Sequence, residues 1–332
     1  LFANVELTLT TSTASSFLDG ETVIHYVPQS SNTLLRSYTY TLSRYQTLTV
    51  NTSTMTGFTA GNRISADTKG GMIIGSAANT IAGIAHLGGR TAYVGKVKDD
   101  QLGAIFAHDL RAQGAVYETT LAPKDAVDET GRCLVIVTPD GERSMNTYLG
   151  VTEFLTSDDI DETQMAEAEW IYLEGYRFDG PESHAAFAKA ISVCKAAGGR
   201  VSLTLSDPFC VSRHRDAFRA MIQADVDLLF CNRAEMLSMY ETDDFDAALA
   251  QAAVEVAVVA CTDSGNGAFV LSEGQTWHVP AIPTDIVDAT GAGDLFAAGF
   301  LHGIINKMSI KESLIKGTEL SSKIIQIIGA RI

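Results

Sequence analysis

Hydrophobic and polar positions follow two rhythms along this chain. Over the first 70 residues short alternations dominate, as in Val5-Glu6-Leu7-Thr8-Leu9 and Tyr38-Thr39-Tyr40-Thr41-Leu42. A period of two predicts strands with one face buried. From residue 71 the period changes. Ala77, Ala78, Ile81, Ile84 and Ala85 recur at helical spacing behind Gly75-Ser76, and Gly88-Gly89 supplies a stop. Residues 91–95 predict a short strand, and Leu102, Ile105, Phe106 and Leu110 a second helix. The apolar run 132–138 predicts a strand, Pro139-Asp140-Gly141 its turn, and 145–149 the returning strand of a hairpin. A buried strand follows at 170–173, then a helix opened by Pro181 and closed by Gly198-Gly199. Strands at 201–205 and 226–230 flank a helix around Phe218 and Ile222. A strand at 256–261, a hairpin of 268–271 with 277–279, a strand-like 282–286 and two helices near 291–306 and 311–328 complete the pattern. Strands alternating with helices of this length predict an α/β fold with a largely parallel sheet covered on both faces. No internal repeat of fixed period occurs.

Composition separates the same two zones. The first 70 residues hold 24 Ser and Thr and four charges of each sign, so the net charge of −16 resides in the remainder, with 36 acidic and 20 basic residues. The segment 1–70 reads either as a small β-rich cap or as a stretch with no part in the chemistry, ill-ordered or read from a shifted frame. Apolar residues make up 46% of the 332 and charged residues 19%, ample for a buried core and against global disorder. The acidic balance repels nucleic-acid backbones and anionic lipid, and no apolar run is long enough to span a membrane. No basic stretch leads into an apolar one in the manner of a signal peptide. The five cysteines (Cys133, Cys194, Cys210, Cys231, Cys261) form no C-x-x-C pair. Reduced thiols in a cytoplasmic protein are therefore expected.

The most informative stretch is Val287-Asp288-Ala289-Thr290-Gly291-Ala292-Gly293-Asp294-Leu295-Phe296, running into an apolar helix. Small residues let backbone N–H groups approach an anion, and a helix start adds unpaired donors and the positive end of its dipole. No Lys-Ser or Lys-Thr follows the glycines, so this is not a Walker A loop. Asp294 is unusual, because a carboxylate repels phosphate. In the first helical turn it is favoured as an anion, and beside a phosphate seat it can take the proton of an attacking hydroxyl. Plain helix capping is the competing explanation.

At these residues the sequence resembles the ribokinase-like (PfkB) sugar and nucleoside kinases, and the resemblance runs over roughly 75–332. Gly75-Ser76-Ala77-Ala78-Asn79-Thr80, the stretch 139–150 (PDGERSMNTYLG) and Thr204-Leu205-Ser206-Asp207-Pro208-Phe209-Cys210 are most similar to the bacterial adenosine-kinase-like branch. The resemblance implies a ribokinase-like three-layer α/β/α sandwich with a mostly parallel central sheet and a small β-sheet lid. The kinase domain would span 71–332, with lid strands within 91–97 and 132–149 and 1–70 as possible partial lid. It implies Asp294 as catalytic base, with the backbone of Gly291, Ala292 and Gly293 as an anion hole. Asn232-Arg233-Ala234-Glu235 matches a motif that places Mg²⁺ and phosphate largely through water, with Glu235 on the metal side, although the spacing also fits a helix capping box. Arg143 matches a phosphate-neutralising position and equally fits a solvated hairpin arginine. Gly75, Ser76, Asn79 and Asn146 fall to the acceptor, and Asn232, Thr262, Ser264, Gly267 and Thr290 to the nucleotide. Thr262, Ser264 and Gly267 also fit an ordinary turn, and Asp207 could lie near phosphate or metal.

Two departures stand out. Ile74 replaces the first of the family's two acceptor-site glycines, and no Gly-Asn-x-x-x-Asp turn precedes Gly75 at a suitable distance. The expectation is an ATP- and Mg²⁺-dependent kinase acting on adenosine or a similar nucleoside, as a monomer or homodimer. A free-sugar acceptor, or a nucleotide-binding relative that regulates without catalysing, is the alternative. The seven His show neither HExxH nor zinc spacing, and no Gly-x-Ser-x-Gly elbow is present.

Overall fold

The computed structural model describes residues 75–137 and 143–332 and, as backbone alone, five strands within the first 64 residues. The chain divides into two units, 1–72 with 133–148 and 73–132 with 149–332. The smaller unit opens with β1 (Val5–Thr11), β2 (Glu21–Pro28) and β3 (Arg36–Thr41), an antiparallel sheet of order β1-β2-β3, followed by β4 (Leu48–Thr49) and β5 (Arg63–Ile64). The larger unit then contributes α1 (Ser76–His86), β6 (Thr91–Tyr93), α2 (Gln101–Ala112) and β7 (Ala115–Tyr117). With β8 (Arg132–Val137) and β9 (Arg143–Tyr148) the chain re-enters the smaller unit, in a sheet of order β4-β5-β8-β9. The expected turn at Pro139-Asp140-Gly141 lies outside the described residues, as do Ile74 and the side chains of the first 70.

The rest belongs to the larger unit: α3 (Glu162–Glu167), β10 (Trp170–Glu174), α4 (Ser183–Ala196), β11 (Arg200–Thr204), α5 (Pro208–Asp225), β12 (Leu228–Asn232), α6 (Arg233–Tyr240), α7 (Phe245–Glu255), β13 (Val258–Thr262), β14 (Ala268–Ser272), β15 (Gln275–Val279), α8 (Ala292–Ile305) and α9 (Ile310–Ile324). Its sheet has the order β10-β11-β12-β13-β14-β15. The first three pairings are parallel and the last two antiparallel.

Successive strand residues serve opposite layers. In β12, Leu229 and Cys231 join the core formed with α4, α5, α6 and α7, whereas Leu228 and Phe230 join α8 and α9. In β13, Val259 and Cys261 likewise face the first layer and Ala260 the second. A strand buried on both faces needs apolar residues at every position, which is why these strands read as unbroken apolar runs. Phe218 and Phe300, both fully buried, anchor the two layers, each contributing roughly 1.5–3 kcal/mol of transfer free energy. The result is the expected three-layer α/β/α sandwich.

Residues 132–149 hold β8 and β9, which fall largely in the smaller unit, and residues 91–97 hold β6 in the larger one, paired in parallel with β7. Packing explains this: Tyr93, Phe106 and Tyr117 form an aromatic cluster with centroids 5.4–5.9 Å apart. The strand expected at 282–286 does not form. Pro280 and Pro283 remove two backbone donors there, and Ile282 and Ile286 are exposed. Among the described residues no helix is long and apolar enough to cross a membrane.

Candidate active site

The start of α8 carries the central feature. Gly291 precedes it at φ 83°, and a Cβ there would lie 2.8 Å from Cα of Ala330. Both the left-handed backbone and the close approach require glycine. Having no side chain, Gly291 makes no side-chain cap at this helix start. The Asp294 carboxylate is engaged from α1. Ser76 Oγ donates to Oδ1 at 2.6 Å and Asn79 Nδ2 to Oδ2 at 2.8 Å, while Thr80 Oγ1 donates to the Asp294 carbonyl at 3.2 Å. These bonds need α1 and α8 in close contact, and Gly83 allows it: a Cβ there would sit 2.7 Å from Cβ of Ala298.

Asp294 is half-buried, Gly293 is exposed, and a Cβ on Gly293 would meet nothing within 4 Å. The first-turn N–H groups of a helix have no intrahelical partners and carry the positive end of the dipole. Ala292 N donates to Ala289 O at 3.3 Å, so it is at Gly293 that an anion can approach this backbone directly, with a carboxylate beside it.

The loop before α8 is clamped by Asp288, 2% exposed. Its Oδ1 accepts from Thr290 N and its Oδ2 from Gly329 N, each at 2.9 Å. Val287 N adds a bond to Ile325 O at 2.8 Å. Asp288 thus serves the backbone, and the hydroxyl of Thr290 is buried without a partner.

Further polar residues gather at the carboxyl ends of the parallel strands, where open α/β sheets bind ligands. Glu174 ends β10 opposite Thr204, and Asn232 ends β12 opposite Thr262. Burial, together with the charge of Asp294, pushes the Glu174 carboxyl up to about 8. Ser206, at φ 70°, donates to one Glu174 oxygen, while the other is buried without a partner. Glu235, 4% exposed, closes a capping box at the start of α6. Its oxygens accept from Asn232 N at 2.8 Å and Asn232 Nδ2 at 2.6 Å, and Asn232 Oδ1 accepts from Glu235 N at 2.9 Å. Burial raises Glu235 to about 7.

The structure therefore brings Ser76, Asn79 and Asp294 into direct contact, behind Gly75 at the start of α1 and beside Gly291, Ala292 and Gly293. Thr262 leads into a turn holding Ser264 (φ 46°) and Gly267 (φ 97°). Asp207 caps α5 by accepting from Cys210 N at 2.7 Å. Arg143 and Asn146 lie on β9 in the smaller unit, and their side chains are outside the described residues. Glu174, Ser206 and Arg331 were not singled out from sequence. A carboxylate at the carboxyl end of an apolar run, Trp170 to Leu173, was the available signal for Glu174. Nothing local marks Arg331, whose significance is purely tertiary.

Among the described residues no three His, Cys, Asp or Glu side chains converge to hold a bare metal ion. Glu235 fits a cation that keeps its waters: Asn232 fixes the carboxylate, and lone pairs remain to accept from metal-bound water.

A three-layer α/β/α unit with an anion-receptive helix start beside a carboxylate has the build of a small-molecule kinase. Residues 73–332 match the family described as pfkB family carbohydrate kinase, and the chain belongs to that family. It is 43% identical to the adenosine kinase of Sinorhizobium meliloti, whose crystal structure aligns with a TM-score of 0.76 over 78% of this chain and 79% of that one. A probable sugar kinase from Rhizobium etli is 44% identical, with a TM-score of 0.75 over 78% of each chain. The ATP-dependent ribose-1-phosphate kinase of Halopiger xanaduensis is 32% identical over 249 residues, 72% of this chain and 76% of that protein.

Proposed function

We propose that the chain is an ATP-dependent, Mg²⁺-requiring kinase that phosphorylates the 5′-hydroxyl of adenosine or a similar nucleoside. The observation that carries this reading is the carboxylate of Asp294, fixed by Ser76 and Asn79 in the first turn of α8, next to the exposed backbone of Gly293. Asp294 takes the proton of the acceptor hydroxyl as it attacks, and the amides of 291–293 receive the charge on the transferring phosphoryl group. Mg²⁺, when bound, neutralises phosphate charge, and Glu235 orients its water shell. The nucleoside acceptor is supported by the 43% identity to an adenosine kinase. A reducing, cytoplasmic setting accords with the buried thiols of Cys194, Cys210, Cys231 and Cys261, none of them in a disulfide.

A second reading, a sugar acceptor on the same machinery, is favoured by the 44% identity to a probable sugar kinase. A coupled ADP-release assay across adenosine, other nucleosides, ribose and fructose separates the two. Adenosine is expected to give the highest kcat/KM. A higher value with a sugar transfers the assignment to the second reading. ATP binding without ADP release on any acceptor makes the chain a non-catalytic nucleotide binder.

A further inference from the structure

Arg331 lies in the segment that Asp288 clamps through Gly329. Its Nε donates to Asn79 Oδ1 at 3.0 Å, a bond spanning 252 residues of sequence. An amide has one oxygen and one NH₂. Once the oxygen accepts from Arg331, the nitrogen is the atom left for Asp294, and Asn79 Nδ2 meets Asp294 Oδ2 at 2.8 Å. Asn79 is 4% exposed, so water does not compete for either contact. The remaining nitrogens of Arg331, Nη1 and Nη2, are buried with no partner. Buried donors without acceptors are costly. A guanidinium kept only for fold stability would be expected to have them satisfied.

We infer that Arg331 is a positioning residue of the catalytic centre: it sets the amide of Asn79, which in turn holds the Asp294 carboxylate, and it keeps two donors for a ligand oxygen. Burial lowers Arg331 to about 10, so it stays cationic at neutral pH. Asp294 is also faced by Glu174, Tyr172 and Tyr176, whose charged forms would all be anionic. Tyr93 and Asp109 face Arg331 itself. Among these groups Arg331 is the cation, and it favours ionised Asp294. The inference rests on the kinase reading only for its kinetic consequences.

The test uses the full chain with R331M, R331K, D294N and the D294N/R331M pair. In R331M, kcat should fall roughly 10²-fold, as for a misplaced reacting group, with KM for ATP unchanged. The acid limb of the kcat profile should move to higher pH. R331K should recover part of the loss, and adding R331M to D294N should cost nothing more. An unchanged kcat in R331M, or an equal further loss in the D294N background, overturns the role. A second readout needs no activity: ¹³C titration of the side-chain carboxyls, with Asp294 assigned by its loss in D294N. An upward shift of Asp294 in R331M is expected, and no shift overturns the inference. If the wild-type chain phosphorylates nothing on the acceptor panel while that shift is present, the kinase reading fails and the positioning role stands.

Discussion

The helices α6 and α8 begin with the same arrangement, an acid at the third helical position, and use it in opposite ways. At α6 the preceding Asn232 and Glu235 satisfy each other, two backbone N–H groups are capped, and the carboxylate serves the helix that carries it. Ser309 and Glu312 do the same at α9. At α8 the preceding residue is Gly291, which has no side chain to cap the helix, and Asp294 accepts from Ser76 and Asn79 of another helix. One residue before the helix thus separates an acid fixed by its own cap from one fixed by a neighbouring helix. Local propensity favours the closed box; at α8 the neighbouring loop is fixed instead by Asp288, which accepts from Thr290 N and Gly329 N.

The sharpest way to break this comparison is D294N. It keeps the shape and donors of the site but removes the base, so kcat should fall roughly 10²- to 10⁴-fold with ATP binding by calorimetry retained. An undiminished kcat would reduce Asp294 to a structural part. G291A attacks the opening itself. A methyl group at φ 83°, 2.8 Å from Ala330, should cost about 1–3 kcal/mol of backbone strain, read as a lower Tm, and more if Ala330 cannot yield. A Tm matching wild type would show that the left-handed start is dispensable.

The third prediction sharpens the electrostatics around α8. Glu174 has a folded-state pKa of about 8 against an ordinary value of 4.5, so the folded chain binds this proton more tightly than the unfolded chain. Its contribution to stability is fully present below about 4.5 and is lost as pH rises toward 8. E174Q should flatten the decline of Tm over that window, and an identical pH dependence in the variant would place Glu174 in a solvated setting.

Much of this was legible in advance, for reasons that differ by element. The strands β10 to β13 are buried on both faces, so their apolar runs stand out, and the run of small residues before Asp294 has few other uses. The segment 282–286 misled because β-branched Ile282, Thr284 and Ile286 alternate while Pro280 and Pro283 forbid the ladder. The spacing of Asn232 and Glu235 fits a capping box, the metal motif comes from the family resemblance, and the structure satisfies the box while leaving lone pairs on the carboxylate. Arg331 was invisible because its value lies in one contact with a residue far away in sequence.

That distance has a consequence for biosynthesis. Asp294 is tied to residue 76, 218 positions earlier, and Asn79 to residue 331, 252 positions later. A nascent chain that has emerged from the ribosome through α8 still lacks Gly329 and Arg331, so Asp288 and Asn79 do not yet have those partners. Contacts of such separation form slowly. The site should therefore be among the last parts of the larger unit to mature, after its sheet has already assembled.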